Sequence, residues 1–309
     1  MTIQQLEYVL ALDTHRHFVD AANHCFVTQP TLTMQLKKLE EEIGFTIFNR
    51  TKKPLQPTKG GEEFIAKAKR ILKEVNELKS MVNKEKDILT GHFKIGIIPT
   101  LAPYLLPRFL PKFIAEYPQI RLEIHELQTD QIVERLKEGS LDIGLLVSSL
   151  SENEIREIPL FLEPFILFHP KQHSLYGKTR IGTDELRTEG LMILNEGHCF
   201  RDQTLEICNT SSVKSDTGFD YQSGSIESLM QLVRQGIGFT LVPELALLEK
   251  IEEDYTTRFK DPQPVREVSL AVHDGFTRDA VLESLRQSIM KSVPEKWRSQ
   301  ENYHRIKWR

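Results

Sequence analysis

The chain has 309 residues, of which 39% are hydrophobic and 27% are charged, and its net charge at pH 7 is −4. This length accommodates two or three domains with their own cores, and no apolar run is long enough to span a membrane. The first seven residues lack the basic and apolar regions of a signal peptide, so we expect a cytoplasmic protein. Three cysteines in such a reducing compartment do not indicate a disulfide framework.

The charge is unevenly distributed along the chain. Residues 1–89 contain 14 Lys and Arg against 12 Asp and Glu, which leaves a net charge of about −6 on the remaining residues. A mildly basic N-terminal region on an acidic body is a weak indication of nucleic-acid binding, so the motifs must decide the question.

Residues 1–58 have the pattern of a winged helix-turn-helix. Apolar spacing predicts helices over residues 2–13 and 18–25. A third helix, residues 29–40, follows Thr28 as N-cap, and residues 45–50 and 55–58 have the alternation of two wing strands. The residues that we expect to contact bases or phosphates are Gln29, Pro30, Thr31, Thr33, Gln35, Lys37, Arg50, Lys52 and Lys53. The alternative is a small helical bundle with a solvated lysine face.

Several motifs in residues 3–62 resemble the winged helix-turn-helix of LysR-type transcription regulators. They are Ala21-Ala22, Val27-Thr28-Gln29-Pro30-Thr31-Leu32-Thr33, Leu39-Glu40, Ile43-Gly44, Ile47-Phe48-Asn49-Arg50 and Thr58-Lys59-Gly60-Gly61. The resemblance implies a domain that binds promoter operators in double-stranded DNA, and an activator that contacts RNA polymerase.

Residues 59–89 are predicted to form one long linker helix. Its apolar residues are spaced as on the seam of a coiled coil: Phe64, Ala68, Ile71, Val75, Leu78 and Val82. We expect this seam to form a dimer that places two heads on neighbouring half-sites. The alternative is that the seam packs on the chain's own body.

Residues 90–309 alternate predicted strands and helices, which indicates parallel βαβ units. The predicted strands cover residues 92–99, 120–127, 141–147, 164–169, 191–194, 239–242 and 268–272, and the helices cover 104–117, 131–138, 226–235 and 279–290. These elements suffice for two α/β subdomains with a cleft between them, the second over about residues 163–267. The arrangement resembles the LysR-type regulatory domain, which is built like a periplasmic binding protein.

Polar residues follow three of the predicted strands, at the edge where open sheets bind ligands. Thr100 follows the first strand, Thr129 the second, and His198 with Cys199 the strand at 191–194. Either threonine alone is more often a helix cap, but the coincidence of all three favours a binding site.

Cys199 lies just before a predicted helix that begins at Arg201 or Asp202 and runs to about Cys208. The helix dipole, with His198 and Arg201, is expected to lower the pKa of the Cys199 thiol, whereas Asp202 opposes this effect unless it pairs with Arg201. Arg266 is a further possible cation. The helix separates the two cysteines by roughly 10–13 Å, beyond the reach of a disulfide. Joining them therefore requires residues 200–208 to unwind, which is a two-state switch.

Such a disulfide could form when peroxide oxidises the Cys199 thiolate to a sulfenic acid that condenses with Cys208. Two alternatives remain open on this evidence. One is a regulator with inert cysteines that binds a small metabolite, and the other is a cysteine-dependent peroxidase. A zinc site at these cysteines and His198 lacks a fourth ligand, and Cys25 has the pattern of a core residue.

Further motifs resemble the peroxide-sensing members of the LysR family. They are Gly197-His198-Cys199-Phe200-Arg201-Asp202-Gln203 with Cys208, Ile98-Pro99-Thr100 with Pro103-Tyr104-Leu105-Leu106-Pro107, and His125-Glu126 with Gln128-Thr129. The resemblance implies that Cys199 and Cys208 are redox-active and that the peroxide pocket contains Thr100, Thr129, His198, Asp202 and Arg266, to which we add Arg201. It also implies a tetramer, a resetting reductant such as glutaredoxin or thioredoxin, and control of oxidative-stress genes. We expect no enzymatic activity, cofactor or metal.

Overall fold

A computed structural model describes residues 1–52, 54–82, 89–148, 150, 152–211, 221, 223–248, 253–298 and 303–306. The described residues up to 82, with residues 138–140, form one compact unit, and the other described residues form a second. Among the helices described, none is both long and apolar enough to cross a membrane. Lys53, predicted to contact DNA, lies outside the described residues.

The first unit contains α1 (Ile3–His15), α2 (Phe18–His24), α3 (Gln29–Ile43), β1 (Phe48–Asn49), β2 (Gln56–Pro57) and α4 (Lys59–Val82). The Thr28 side chain accepts a hydrogen bond from the backbone N–H of Thr31 and so caps α3, as predicted. α3 carries a leucine stripe, formed by Leu32, Leu36 and Leu39, that is buried in the core of this unit. Phe48 pairs with Pro57 in an antiparallel ladder, so the wing is present with shorter strands than expected.

The predicted seam of α4 is divided between buried and exposed positions. Ala68 is buried with Leu72 against Leu6 of α1, so at this position α4 packs on the chain's own body. Ile71 is 42% exposed and remains free to meet a partner helix. Of the other seam residues, Phe64 and Val75 are half-buried, whereas the side chains of Leu78 and Val82 lie outside the described part of the structure.

The second unit supplies the remaining helices and strands. They are β3 (Gly91–Ile97), α5 (Ala102–Glu116), β4 (Ile120–Glu126), α6 (Thr129–Lys137), β5 (Ile143–Val147), β6 (Ile155–Phe168), β7 (Arg180–Ile181), α7 (Cys199–Ile207), α8 (Ile226–Arg234), β8 (Thr240–Pro243), β9 (Thr256–Phe259), β10 (Gln263–His273), α9 (Asp279–Ser292) and β11 (Tyr303–Arg305).

These strands form a mixed sheet in the order β4-β3-β5-β10-β6-β9-β7, with β11 beside β10 and β8 beside β6. β3 is parallel to β4 and β5, as predicted for βαβ units. The expectation of parallel units throughout is wrong, because β10 is antiparallel to both β5 and β6. A parallel neighbour needs a long crossover, usually a helix, and no helix lies between β5 and β6 in the described part of the chain.

β6 begins at Ile155, nine residues before the start that the sequence predicted. Pro159 and Pro164 hid this strand, because proline is unfavourable inside a sheet. The ladder between β6 and β10 shifts register between Val268 and Ser269, opposite Pro159. This irregularity accommodates the first proline and lets β6 continue as one long strand.

The predicted strand at residues 191–194 is not formed in the structure. Leu191 and Leu194 make only isolated bridges, to Phe239 and Ser223 respectively. The flanking glycines at positions 190 and 197 have φ angles of +80° and +89°. These left-handed conformations interrupt an extended ladder at both ends of the segment.

The sheet supports two hydrophobic cores. The first packs α5, α6 and α9 against β3, β4 and β5. The second surrounds the later half of β6 with β8, α7 and α8. Both β6 and α7 contribute to the two cores. Cys199 at the start of α7 belongs to the first core, whereas Ile207 and Cys208 at its end belong to the second.

Candidate functional site

The two candidate cysteines lie at opposite ends of α7. Cys199 is its first residue, so the helix begins two residues before the predicted start at Arg201. Cys208 is the C-cap, and its N–H donates to the carbonyl of Thr204 over 3.1 Å. Both thiols are free and buried. A helix of this length separates their Cα atoms by roughly 13 Å, so a disulfide between them requires α7 to change shape.

Gly197 allows the segment before α7 to approach the loop between β4 and α6. A Cβ atom at this position would lie 2.7 Å from both amide atoms of Gln128, and the φ angle of +89° independently disfavours any other residue. The next residue of that loop is Thr129, which begins α6. The glycine therefore helps to bring the start of α7 close to Thr129.

Arg266 organises the polar groups around the start of α7. Its buried guanidinium donates to Glu163 Oε2 over 2.8 Å, to Thr100 Oγ1 over 2.9 Å and to the Thr100 carbonyl over 3.0 Å. Glu163 is the direct cross-strand partner of Arg266, and its other oxygen accepts from the Leu245 N–H over 2.9 Å. The guanidinium carbon also lies 5.2 Å from the centroid of the Phe200 ring. These contacts fix the orientation of the cation.

The environment of Cys199 corrects the expectation of a lowered thiol pKa. Burial raises the pKa of Cys199 above its ordinary value, and the charge of Asp202 acts in the same direction. Arg266, the Thr129 hydroxyl and the backbone N–H of Phe200 lower it. Desolvation outweighs them because the residue is only 3% exposed. In this conformation the thiol is therefore protonated at neutral pH.

Thr129 and His198 are the other buried polar groups at this end of the helix. Thr129 Oγ1 makes no hydrogen bond of acceptable geometry to any described residue, although it is close enough to the thiol to lower the pKa of Cys199. A buried hydroxyl in this condition favours binding of a small polar molecule. His198 is the N-cap of α7, and burial lowers its pKa, so its imidazole is neutral at pH 7.

Arg201 is not the cation that acts on the thiol. Its Nη1 donates to the Leu194 carbonyl over 2.8 Å, whereas the charge that lowers the pKa of Cys199 belongs to Arg266. Helical geometry explains the difference. Because α7 begins at Cys199, Arg201 is two positions further along and points to a different face.

Fewer groups affect the pKa of Cys208 than that of Cys199. Burial raises its pKa to about 12, with no other group contributing to the shift. In the described part of the chain, His, Cys, Asp and Glu form no cluster suited to a metal. Cys25 is half-buried in the first unit, and burial and Glu7 raise its pKa.

Sequence reasoning missed two residues of this site, Glu163 and Gln203. Glu163 is a single carboxylate within the apolar run of residues 160–168, and such a charge is buried only when it is paired. Gln203 is four positions after Cys199 and therefore on the same face of α7. It is fully buried, its Nε2 donates to the Ile306 carbonyl over 2.9 Å, and its Oε1 has no partner among the described residues.

The first unit presents the predicted DNA-contacting residues unequally. Gln29, Pro30, Lys37 and Lys52 are exposed, whereas Thr31, Thr33 and Gln35 are half-buried. Gln35 Oε1 accepts a hydrogen bond from Gln5 Nε2 over 3.3 Å, which directs this side chain towards α1. Met34, which the sequence did not single out, is 60% exposed on α3.

Arg50 anchors the wing to α3. Its Nη2 donates to Glu40 Oε2 over 2.7 Å, and Glu40 Oε1 accepts from the Ile47 N–H over 2.7 Å. Glu40 is buried whereas the Arg50 side chain is 40% exposed. The guanidinium therefore has a structural partner, and part of it still faces solvent.

Two family models together match most of the chain. Residues 3–62 match the model described as "Bacterial regulatory helix-turn-helix protein, lysR family". Residues 86–293 match the model described as "LysR substrate binding domain".

Similar proteins of known name are regulators rather than enzymes. The "Hydrogen peroxide-inducible genes activator" of Pectobacterium carotovorum is 36% identical over 296 residues, covering 95% of this chain and 97% of that protein. The "DNA-binding transcriptional dual regulator OxyR" of Escherichia coli is 35% identical over 292 residues, covering 94% and 95%. The structure of full-length OxyR from Pseudomonas aeruginosa, with a cysteine-to-aspartate substitution, matches with a TM-score of 0.79 and 33% identity, covering 95% of this chain and 99% of that one.

Proposed function

The chain belongs to the LysR family of bacterial helix-turn-helix regulators, and we propose that it activates hydrogen-peroxide-inducible genes through a thiol switch. Residues 1–58 form the DNA-binding head, residues 59–89 the dimerisation helix, and residues 90–309 the sensor. The observation that carries the proposal is the arrangement of α7. One buried thiol lies near Arg266 and the unsatisfied Thr129 hydroxyl, and a second lies at the far end of the same helix.

Peroxide reacts first with Cys199. The Thr129 hydroxyl and the Arg266 guanidinium can hydrogen-bond to its oxygens, and Thr100, His198 and Asp202 complete the proposed pocket. The sulfur of Cys199 attacks one oxygen, the O–O bond breaks, and hydroxide leaves. Together with the proton of the thiol, this hydroxide becomes water, and Cys199 becomes a sulfenic acid.

Cys208 completes the switch. Its sulfur attacks the sulfenic sulfur, a second water leaves, and a disulfide joins Cys199 to Cys208. The bond cannot form while residues 200–208 remain helical, because the helix holds the two cysteines too far apart and in different hydrophobic cores. Formation of the disulfide therefore competes with the packing of α7. The helical, reduced segment and the disulfide-bonded segment are mutually exclusive states.

Refolding of this segment changes how the subunits associate, and so how the heads sit on operator DNA and contact RNA polymerase. The exposed part of the α4 seam supports a dimer, and we infer a tetramer built from two such dimers in the cytoplasm. A thiol reductant such as glutaredoxin or thioredoxin returns the disulfide to two thiols. Similarity to proteins named as activators of hydrogen-peroxide-inducible genes supports the signal and the direction of control.

A reporter gene under peroxide stress tests the proposal. Cys199→Ser should abolish the response, because no sulfenic acid can form at that position. Cys25→Ser is the matched control, since it removes the thiol of the DNA-binding head and should leave the response intact. In the purified protein, peroxide should consume two thiols per wild-type chain. In the Cys199→Ser variant, the Cys208 thiol should stay unoxidised.

The metabolite-binding alternative makes the opposite prediction. If Cys199→Ser still responded to peroxide, or if peroxide consumed no thiols in the wild-type chain, the cysteines would be inert and the cleft would have to bind another signal.

A further inference from the structure

Helix α2 ends in a left-handed turn at Phe26, which has a φ angle of +54°. The Phe26 N–H donates to the Asn23 carbonyl over 3.1 Å, and the Val27 N–H donates to the Ala22 carbonyl over 3.0 Å. These two hydrogen bonds define a Schellman motif, with Phe26 at the position where glycine is strongly preferred. A side chain is disfavoured there because its Cβ crowds the backbone.

Other helices of this chain end on residues that tolerate the same conformation. Gly44 follows α3 with φ +79°, Gly236 ends the turn after α8 with φ +86°, and Asn209 follows α7 with φ +49°. Arg16, at φ +53° after α1, has contacts that hold it, since its carbonyl accepts from the Leu55 N–H and its guanidinium bonds to Asp13. Phe26 places an aromatic ring at such a position, whereas these other residues have no ring.

The Phe26 side chain makes almost no contact with its own chain. It is 96% exposed, whereas its neighbours Cys25 and Val27 pack against the core of the head. A large apolar side chain that is both strained and exposed lowers the stability of the fold without contributing to its packing. A phenylalanine at this position is therefore better explained by a partner than by the fold.

We propose that Phe26 contacts operator DNA, laying its ring against an apolar part of the duplex beside the recognition helix. α3 begins at Gln29, three residues after Phe26, and a helix-turn-helix inserts the N-terminal residues of this helix into the major groove. Phe26 thus extends the DNA-binding surface of the head. The apolar groups available there are deoxyribose faces and thymine methyl groups.

A contact of this kind differs from the lysine contacts in its response to salt. Each phosphate neutralised by a cation steepens the fall of affinity with salt concentration. A phenyl ring neutralises no phosphate, so Phe26 contributes affinity without changing that slope. It would do so whether or not the cysteines of the sensor are redox-active.

The test compares Phe26→Gly and Phe26→Tyr in the full chain, on a duplex selected from a random pool by the wild-type protein. Phe26→Gly should weaken binding about tenfold, as expected for loss of one buried apolar contact. The plot of log affinity against log salt should stay parallel to that of the wild type. Phe26→Gly should not lower the melting temperature, because relief of strain offsets the greater freedom of glycine in the unfolded chain. Phe26→Tyr keeps the ring and should bind within about twofold of the wild type.

Replacing thymine by uracil in the same duplex separates the two apolar partners. Weaker wild-type binding to the uracil duplex identifies a methyl contact, and unchanged binding with the Phe26→Gly loss intact identifies a deoxyribose contact. The proposal is overturned if Phe26→Gly binds as tightly as the wild type. It is also overturned if the loss of affinity accompanies a lower melting temperature or a shallower salt slope.

Discussion

The two ends of α7 hold the same chemical group in different surroundings. At the start, Arg266, the Thr129 hydroxyl and the Phe200 N–H oppose the burial that raises the pKa of Cys199. At the end, burial acts alone and raises the pKa of Cys208 to about 12. The helix dipole adds to this contrast, since it favours an anion at the start of a helix and disfavours one at its end.

This comparison indicates that burial does not decide which thiol reacts first. Both residues are almost inaccessible in this conformation, at 3% and 7% exposure for Cys199 and Cys208. What distinguishes them is the set of groups that can stabilise a developing negative charge, and that set lies at Cys199. In the proposed switch, this comparison favours Cys199 as the nucleophile and Cys208 as the resolving thiol.

The largest effect is expected from removing the cation that distinguishes the two ends. Arg266→Met leaves Glu163 buried and unpaired, which should lower the free energy of unfolding by about 3–5 kcal/mol. It should also slow the reaction of Cys199 with peroxide, because no cation then stabilises negative charge on its sulfur. Urea denaturation and the rate of thiol loss under peroxide measure the two effects.

The double variant Glu163→Gln with Arg266→Met separates the effect on stability from the effect on the reaction of Cys199. Neutralising the carboxylate should restore much of the stability, while the reaction of Cys199 stays slow. Recovery of both properties together would mean that Arg266 acts only through the fold.

A smaller effect is expected from a change in the segment that precedes Cys199. Gly197→Ala places a Cβ against Gln128 at a left-handed φ angle, and should lower the free energy of unfolding by about 2 kcal/mol, half from strain and half from the clash. Gly177→Ala is the matched control, because its φ angle of +80° is similar and its surroundings are open. It should cost only the strain, about 1 kcal/mol. Thermal unfolding of the two variants measures the difference, and equal losses would contradict the close approach to Gln128.

The effect that is smallest at neutral pH is the titration of Cys208, because it appears only in alkaline solution. In the folded chain the raised pKa keeps Cys208 protonated to about pH 12, whereas the unfolded chain loses this proton above about pH 9. The unfolded state then binds fewer protons, so stability falls as pH rises through this window, by about 1.4 kcal/mol per pH unit. Cys208→Ser should remove that contribution, which denaturation at several pH values under reducing conditions would detect.

Cys199→Ser sharpens the comparison in the same measurement. The sign should be the same, because burial raises the pKa of Cys199 also. Cys199→Ser should therefore also weaken the fall of stability at high pH. An unchanged fall would contradict the burial that raises the pKa of Cys199.

The head of the molecule was more predictable from sequence than its sensor, for a physical reason. The Thr28 N-cap and the leucine stripe of α3 depend on residues three or four positions apart, so capping rules and apolar periodicity can predict them. The same rules predicted polar groups at Thr100 and Thr129. They could not predict the pairing of Glu163 with Arg266, because these residues are 103 positions apart and meet only through the register of β6 and β10.

The pKa of Cys199 illustrates the same limit. The sequence predicted a helix start and a nearby cation, and both lower the pKa as expected. It placed Arg201 first and Arg266 only as a further possible cation, because the true helix start and the position of Arg266 depend on tertiary structure. It could not predict desolvation either, since the depth of a thiol in a core is fixed by elements distant in sequence.

The hydrogen bond from Gln203 to the carbonyl of Ile306 has a practical consequence for anyone who labels this protein. Residues 303–305 pair with β10, and Ile306 is buried in the second core. A fluorescent protein or affinity tag fused to the C-terminus would follow a segment held directly by the helix that carries both cysteines. A load on Ile306 would act on α7 through the Gln203 side chain, so a C-terminal label should be removable before redox measurements begin.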